Sequence, residues 1–183
     1  MIYHLSLQTA GLIAGLFLLL ISVPGLIQPD VTRGFAQRLP RSRVAGFGLL
    51  TVDLIWSLWL LSTMEMGEFR TFQRPLLIAL PIGFFLALRF ADEFLAVRAL
   101  GIFFLLGAEP LLNAAFLRTE PSRLLVTAFA YILIITGLFW VSMPYLLRDQ
   151  ISWSARSRGR WRLTHGLALL YGAAILACTF TRY

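Results

Sequence analysis

Six stretches of this chain, 5–27, 44–62, 75–90, 94–117, 124–147 and 163–181, each run for 16 to 24 mostly apolar residues. A helix rises about 1.5 Å per residue, so about 20 such residues cross the ~30 Å hydrocarbon core of a bilayer. Lipid offers the backbone no hydrogen-bonding partner, and a helix satisfies its own N–H and C=O groups. The sequence therefore predicts an all-α, polytopic transmembrane bundle of six spans, one integral membrane domain over 1–183. Composition agrees: 58% of residues are hydrophobic and 14% charged, against roughly 25% charged in a soluble domain. Water cannot be the outside of such a surface; lipid can.

The first stretch has no basic residue before it and no small-residue cleavage site after it. It reads as a retained span rather than a removed signal segment. The third stretch is the weakest, 16 residues with Pro81 inside. It reads as a short span or a re-entrant segment, and five spans is the fallback. The residues after it, Arg89-Phe90-Ala91-Asp92-Glu93, must turn without Gly or Pro. Asp92 is the expected N-cap of the next helix, accepting its orphan N–H groups and complementing its dipole.

All 16 basic residues are Arg, and the formal charge is +7. In a soluble protein that excess suggests a polyanion; here it reports orientation, because basic residues gather in cytoplasmic loops. Loop 28–43 carries Arg33, Arg38, Arg41 and Arg43, loop 148–162 carries Arg148, Arg156, Arg158, Arg160 and Arg162, and Arg89 marks the turn between. The other side has Arg70, Arg74, Arg118, Arg123 and Arg182, so the count is ten against five with Arg98 set aside as intramembrane. Both termini are expected outside the cytoplasm, in a plasma membrane of the bacterial inner-membrane kind. Tyr3, Trp59 and Tyr183 fall at outer ends and Tyr145 and Trp161 at inner ends, as aromatic belts do. Trp56 and Trp140 lie deeper and are expected to pack.

Within 31–39, Val31, Phe35 and Leu39 recur at helical spacing, with Arg33, Gln37 and Arg38 elsewhere on the wheel. This predicts a short amphipathic helix on the inner leaflet. Each basic residue near an anionic leaflet contributes ~1 kcal/mol. Arg33, Arg38, Arg41, Arg43, Arg156, Arg158, Arg160 and Arg162 are thus the candidate anionic-lipid contacts, with anchoring and topology as their simplest role.

The chain also echoes itself at a spacing of 120 residues. Ser22-Val23-Pro24 with Leu26 matches Ser142-Met143-Pro144 with Leu146, Arg38 matches Arg158, and Gly46 with Leu49-Leu50 matches Gly166 with Leu169-Leu170. In each copy a helix is expected to end at a Pro, an Arg-rich loop to follow, and a Gly to open the next helix. Such self-similarity points to a same-orientation repeat of spans one and two in spans five and six, although Leu-rich sequences also match one another easily.

Chemistry in a membrane needs ionisable groups within spans, where each costs roughly 2.5–3.5 kcal/mol on the insertion scale. Asp53 sits at mid-span; it reads as a protonated or hydrogen-bonded carboxyl that joins two helices, or alternatively as a carrier of a proton or cation. Glu109 precedes Pro110, which frees a carbonyl one turn earlier, and Asn113 faces the same way. The three read as a self-satisfied kink, or as the lining of an outward cavity. Arg98, one turn inside its span, is expected to snorkel.

His4 and His165 fall at opposite faces, which excludes bis-His ligation of a haem within one protomer. Cys178 stands alone, excluding an internal disulfide or a Cys-based metal site. No hydrolase, zinc-protease or nucleotide-binding motif occurs. No catalytic residue, metal or cofactor is therefore expected, nor a nucleic-acid partner. The leading expectation is a non-catalytic membrane subunit or scaffold, partnered by lipid and by another protein or its own copy. The alternative is a small transporter or channel for a proton, cation or small solute using Asp53 and Glu109; a membrane enzyme whose site carries no recognisable motif is the third class.

Overall fold

A computed structural model describes residues 3, 5–90 and 94–181. Among these there is no strand. The elements are α1 (Leu7–Ile27), α2 (Pro29–Arg38), a 3-10 turn (Leu39–Arg41), α3 (Arg43–Thr63), a second 3-10 turn (Gly67–Phe69), α4 (Arg70–Phe90), α5 (Leu95–Ala115), α6 (Arg123–Ser142), α7 (Tyr145–Ala155) and α8 (Arg158–Thr181). Six of these helices, all but α2 and α7, are long and apolar enough to cross a bilayer.

Local chemistry sets the ends. Ser6 caps α1 by accepting from the Thr9 N–H, and Ser42 caps α3 by accepting from the Ala45 N–H. Each satisfies a donor that the first turn leaves orphaned. Asp92, the expected cap of α5, lies outside the described residues, as do His4, Arg182, Tyr183 and the centre of the 89–93 turn.

Three boundaries differ from the sequence expectation. The third span starts at Arg70 rather than 75, giving a 21-residue α4 that needs neither a re-entrant path nor the five-span fallback. Its first turn holds Arg70, Gln73 and Arg74, which interrupt the apolar run without interrupting the helix, since long Arg side chains reach back to the interface. The fifth span stops at Ser142 instead of 147. Pro144 has no N–H to give the preceding turn, and Met143 is pushed to φ −129°, ψ 72°. The chain restarts as α7. Pro24, by contrast, lies inside α1, which continues to Ile27, so the two matched prolines do not end their helices alike. The last helix begins five residues before 163, at Arg158.

Two helix pairs organise the bundle, α1 along α8 and α5 along α6. Each meets at glycine. A Cβ on Gly15 would lie 3.2 Å from the Gly172 carbonyl oxygen, and one on Gly172 the same distance from that of Gly15. At the other crossing a Cβ on Gly101 or Gly137 would approach the opposite carbonyl to 2.9 or 2.8 Å. Lipid tails are as apolar as leucine, so helix association here rests on close van der Waals fit, and missing side chains allow it. The pairs join through Ala10, Ala14, Leu111, Phe129, Leu133 and Ile175. α3 lies beside α5, with Gly46 against the Ala96 backbone. α4 packs mainly along α3, at the edge, and buries none of its residues.

The echo at 120 residues maps α1–α2–α3 onto α6–α7–α8, which share an order of elements. Their main packing partners differ, since α1 lies along α8 while α6 lies along α5.

Candidate intramembrane site at Asp53

α3 turns Gly46, Leu50 and Asp53 toward the protein interior, at i, i+4 and i+7. The stripe follows the helical period, so the carboxyl is carried inward with its apolar neighbours. Asp53 has ten residues of α3 on either side. It is 3% exposed. Neither carboxylate oxygen has a hydrogen-bond partner, and no salt bridge reaches it among the described residues.

Beside it, α3 and α4 leave a cleft of about 310 Å³ that Asp53 lines. The remaining wall is apolar apart from Ser57, one turn along α3, and is closed by Leu50, Leu76, Leu80, Phe84 and Ile102. α4 can stand off here because Gly83 and Ala79 face the gap. Below the cleft, Leu50, Leu95 and Ala99 close the packing with Phe84 and Leu88. Above it, the Gln73 side-chain amide donates to the Leu61 carbonyl at 2.8 Å and ties the start of α4 to the end of α3.

Of the favoured sequence reading, a protonated or hydrogen-bonded Asp joining two helices, the hydrogen bond is absent among the described residues: neither oxygen has a partner. Burying an ionised carboxylate without pairing is costly. No positive charge among the described residues forms a salt bridge with it.

Glu109, Asn113 and Arg98 are not on the wall of this cleft. Glu109 is half-buried on α5 beside buried Pro110, and its charge acts on Tyr3. Burial raises the Tyr3 phenol above its ordinary value and Glu109 raises it further, against the Trp56 indole, which donates to the Tyr3 oxygen at 2.6 Å. Asn113 lines a separate hollow at that end with Tyr3, Ser6 and Arg118. Arg98 is exposed one turn into α5, where its length suits snorkelling.

α2 and α7 lie together at the other end of the bundle. Val31 and Phe35 on α2 are exposed, as a helix lying on a leaflet requires. Arg38, Arg41, Arg43, Arg156, Arg158, Arg160 and Arg162 are exposed too. Arg33 differs: its side chain is 15% exposed, its guanidinium sits 5.6 Å from the Trp161 ring centre, and Asp30 lies 3.8 Å away. Trp161, expected at the interface, is instead buried. It donates to the Gly25 carbonyl at 2.9 Å and stacks on His165. The space for that stack exists because residue 25 has no side chain; a Cβ there would overlap the His165 ring. Only the pairing of α1 with α8 brings these together, and no local sequence signal announces it. Trp56 and Trp140 pack as expected, Trp56 edge-on to Phe103 and Trp140 against Phe104.

Among the described residues, no three His, Cys, Asp or Glu side chains gather as a metal site. Comparisons with protein-family models, curated proteins and solved structures find no match for this chain.

Proposed function

We propose that the chain is a small multi-pass membrane transporter whose working group is Asp53. One observation carries the reading. A mid-span carboxylate with two buried, unpartnered oxygens lines a cleft beside the least-packed of the six long helices. Intramembrane carboxylates are expensive, and where they occur they mark ion and proton paths. An ionised structural Asp would need a donor across the helix interface, and this one has none among the described residues. α4 has no fully buried residue and carries Pro75 and Pro81, so its movement against α3 would shift only the partly buried Phe84, Ala87 and Leu88 contacts and the Gln73 tie while opening and closing the cleft.

The orientation proposed with it puts α2 and α7 on the cytoplasmic side of a bacterial inner membrane, with both termini opposite. The Arg excess of that side supports this. The exposed Arg residues there are proposed to contact anionic lipid.

The test is flux. In proteoliposomes carrying a pH gradient, wild type should move protons or cations, and Asp53→Asn should remove that movement at unchanged thermal stability. Equal flux in both would end the transporter reading.

A second reading has its own support. The outward face of α4 carries Phe72, Ile78, Ile82 and Phe85, and a helix packed on one neighbour is a natural seam for another subunit. A non-catalytic subunit of a larger assembly would then satisfy Asp53 from a partner helix. Cross-linking from α4 to another chain in native membranes, together with absence of flux in the isolated protein, would favour it.

A further inference from the structure

The donor set of the Asp53 cleft narrows what can occupy it. Resting on the transporter reading, we infer that the cleft takes a lipophilic organic ammonium, one apolar group bearing one N–H-donating positive charge. Oxygen is scarce here: the side chains lining the cleft offer the two Asp53 oxygens and the Ser57 hydroxyl. Hard cations such as Ca²⁺ take six to eight oxygens, and Mg²⁺ keeps an octahedral shell. K⁺ filters replace hydration with rings of carbonyls. A bare metal ion entering this cleft would lose its water and regain too few ligands.

An organic ammonium meets the opposite balance. Its N–H groups supply donors that both Asp53 oxygens lack, and charge-assisted hydrogen bonds of this kind are the strong ones. One carboxylate neutralises one positive charge. The carbon body lies against Leu50, Leu76, Leu80 and Ile102, with the Phe84 ring also on the wall. A ring near a cation adds attraction through its face. The volume of about 310 Å³ suits a small organic ligand. Access runs from the lipid side, because the cleft lies between α3 and the edge helix α4, so the ligand arrives by partitioning into the bilayer.

The experiment is calorimetric titration of the purified full chain in nanodiscs with 2-phenylethylammonium, and with 2-phenylethanol as the neutral counterpart. The expected result is saturable binding of the ammonium, weakened about tenfold or more in Asp53→Asn because the buried charge loses its partner. The alcohol should bind at least as weakly as that variant binds the ammonium. Gly83→Leu is the second variant. A Cβ at Gly83 meets nothing within 4 Å, and Gly83 lines the cleft, so the larger side chain grows into the cleft; binding should vanish while the carboxyl stays and thermal stability is held as the control. Ammonium binding indifferent to both changes, or matched by the alcohol, overturns the inference. Asp53-dependent proton flux with no ammonium binding also overturns it, and leaves the transporter reading standing. Loss of both flux and binding in wild type defeats the two together.

Discussion

At the scale of single residues, the same residue type has opposite consequences depending on what faces it. Gly137 and Gly48 both lie in membrane-length helices. A Cβ on Gly137 would meet the Gly101 carbonyl at 2.8 Å and Leu105 at 3.0 Å, whereas one on Gly48 meets nothing within 4 Å. A backbone carbonyl in a packed crossing cannot step aside as a flexible side chain can. Gly137→Ala should therefore destabilise by about 1–3 kcal/mol, the usual cost of overpacking. Gly48→Ala should be neutral or stabilising by up to about 1 kcal/mol, from helix propensity alone. Thermal unfolding in one detergent compares them, and equal midpoints for the two variants would mean that the α5–α6 crossing is not as tight as described. Neither role is written in the sequence around these glycines, because each depends on a helix distant in the chain. Asp53 was legible for a different reason: a lone carboxylate in the middle of an apolar run needs no partner to be noticed. Its lack of a donor became visible only once α4 and α5 were in place.

At the scale of elements, hydropathy marked all six long helices, and the spacing of Val31 and Phe35 marked α2. Leu39, expected on the same face, falls in the 3-10 turn and packs against the Val97, Trp140 and Leu147 cluster. The errors gathered where polarity and helicity part company. Arg70, Gln73 and Arg74 hid the first turn of α4, and apolar residues on both sides of Pro144 hid the break between α6 and α7. Within α2 and the turn after it, the sequence placed every Arg alike, but the structure separates them. Arg33 is largely withdrawn onto Trp161, while Arg38 and Arg41 remain exposed. Their replacement should separate two effects. Arg33→Gln removes a shielded cation–π contact and the Asp30 pair, and should lower thermal stability by about 0.5–2 kcal/mol in any lipid. Arg38→Gln with Arg41→Gln should leave stability in neutral lipid unchanged and reduce the extra stabilisation given by anionic lipid, at ~1 kcal/mol per residue. Unfolding in neutral and anionic nanodiscs measures both. If Arg33→Gln behaves like the other two, its contact with Trp161 contributes nothing.

At the scale of the whole molecule, the connectivity places α2 and α7 at one end, where the two Arg-rich segments meet, and the 116–122 connection at the other. This pairing of ends is a property of the fold; which end faces the cytoplasm is a separate matter resting on the distribution of Arg. One labelling experiment addresses both. In a Cys178→Ala background, single cysteines at Gln37, Ser152 and Thr119 all replace exposed residues. With an impermeant thiol reagent on intact cells, the cysteines at 37 and 152 should be shielded and the one at 119 should react; after permeabilisation all three should react. Reaction at 37 and 152 with protection at 119 would keep the fold and reverse the orientation. The result would also move the proposed lipid contacts to the other leaflet, away from its anionic surface. Different behaviour at 37 and 152 would be the more serious outcome, because α2 and α7 could then not share an end. The Arg33–Trp161 contact and the placing of α1 along α8 would fall with it.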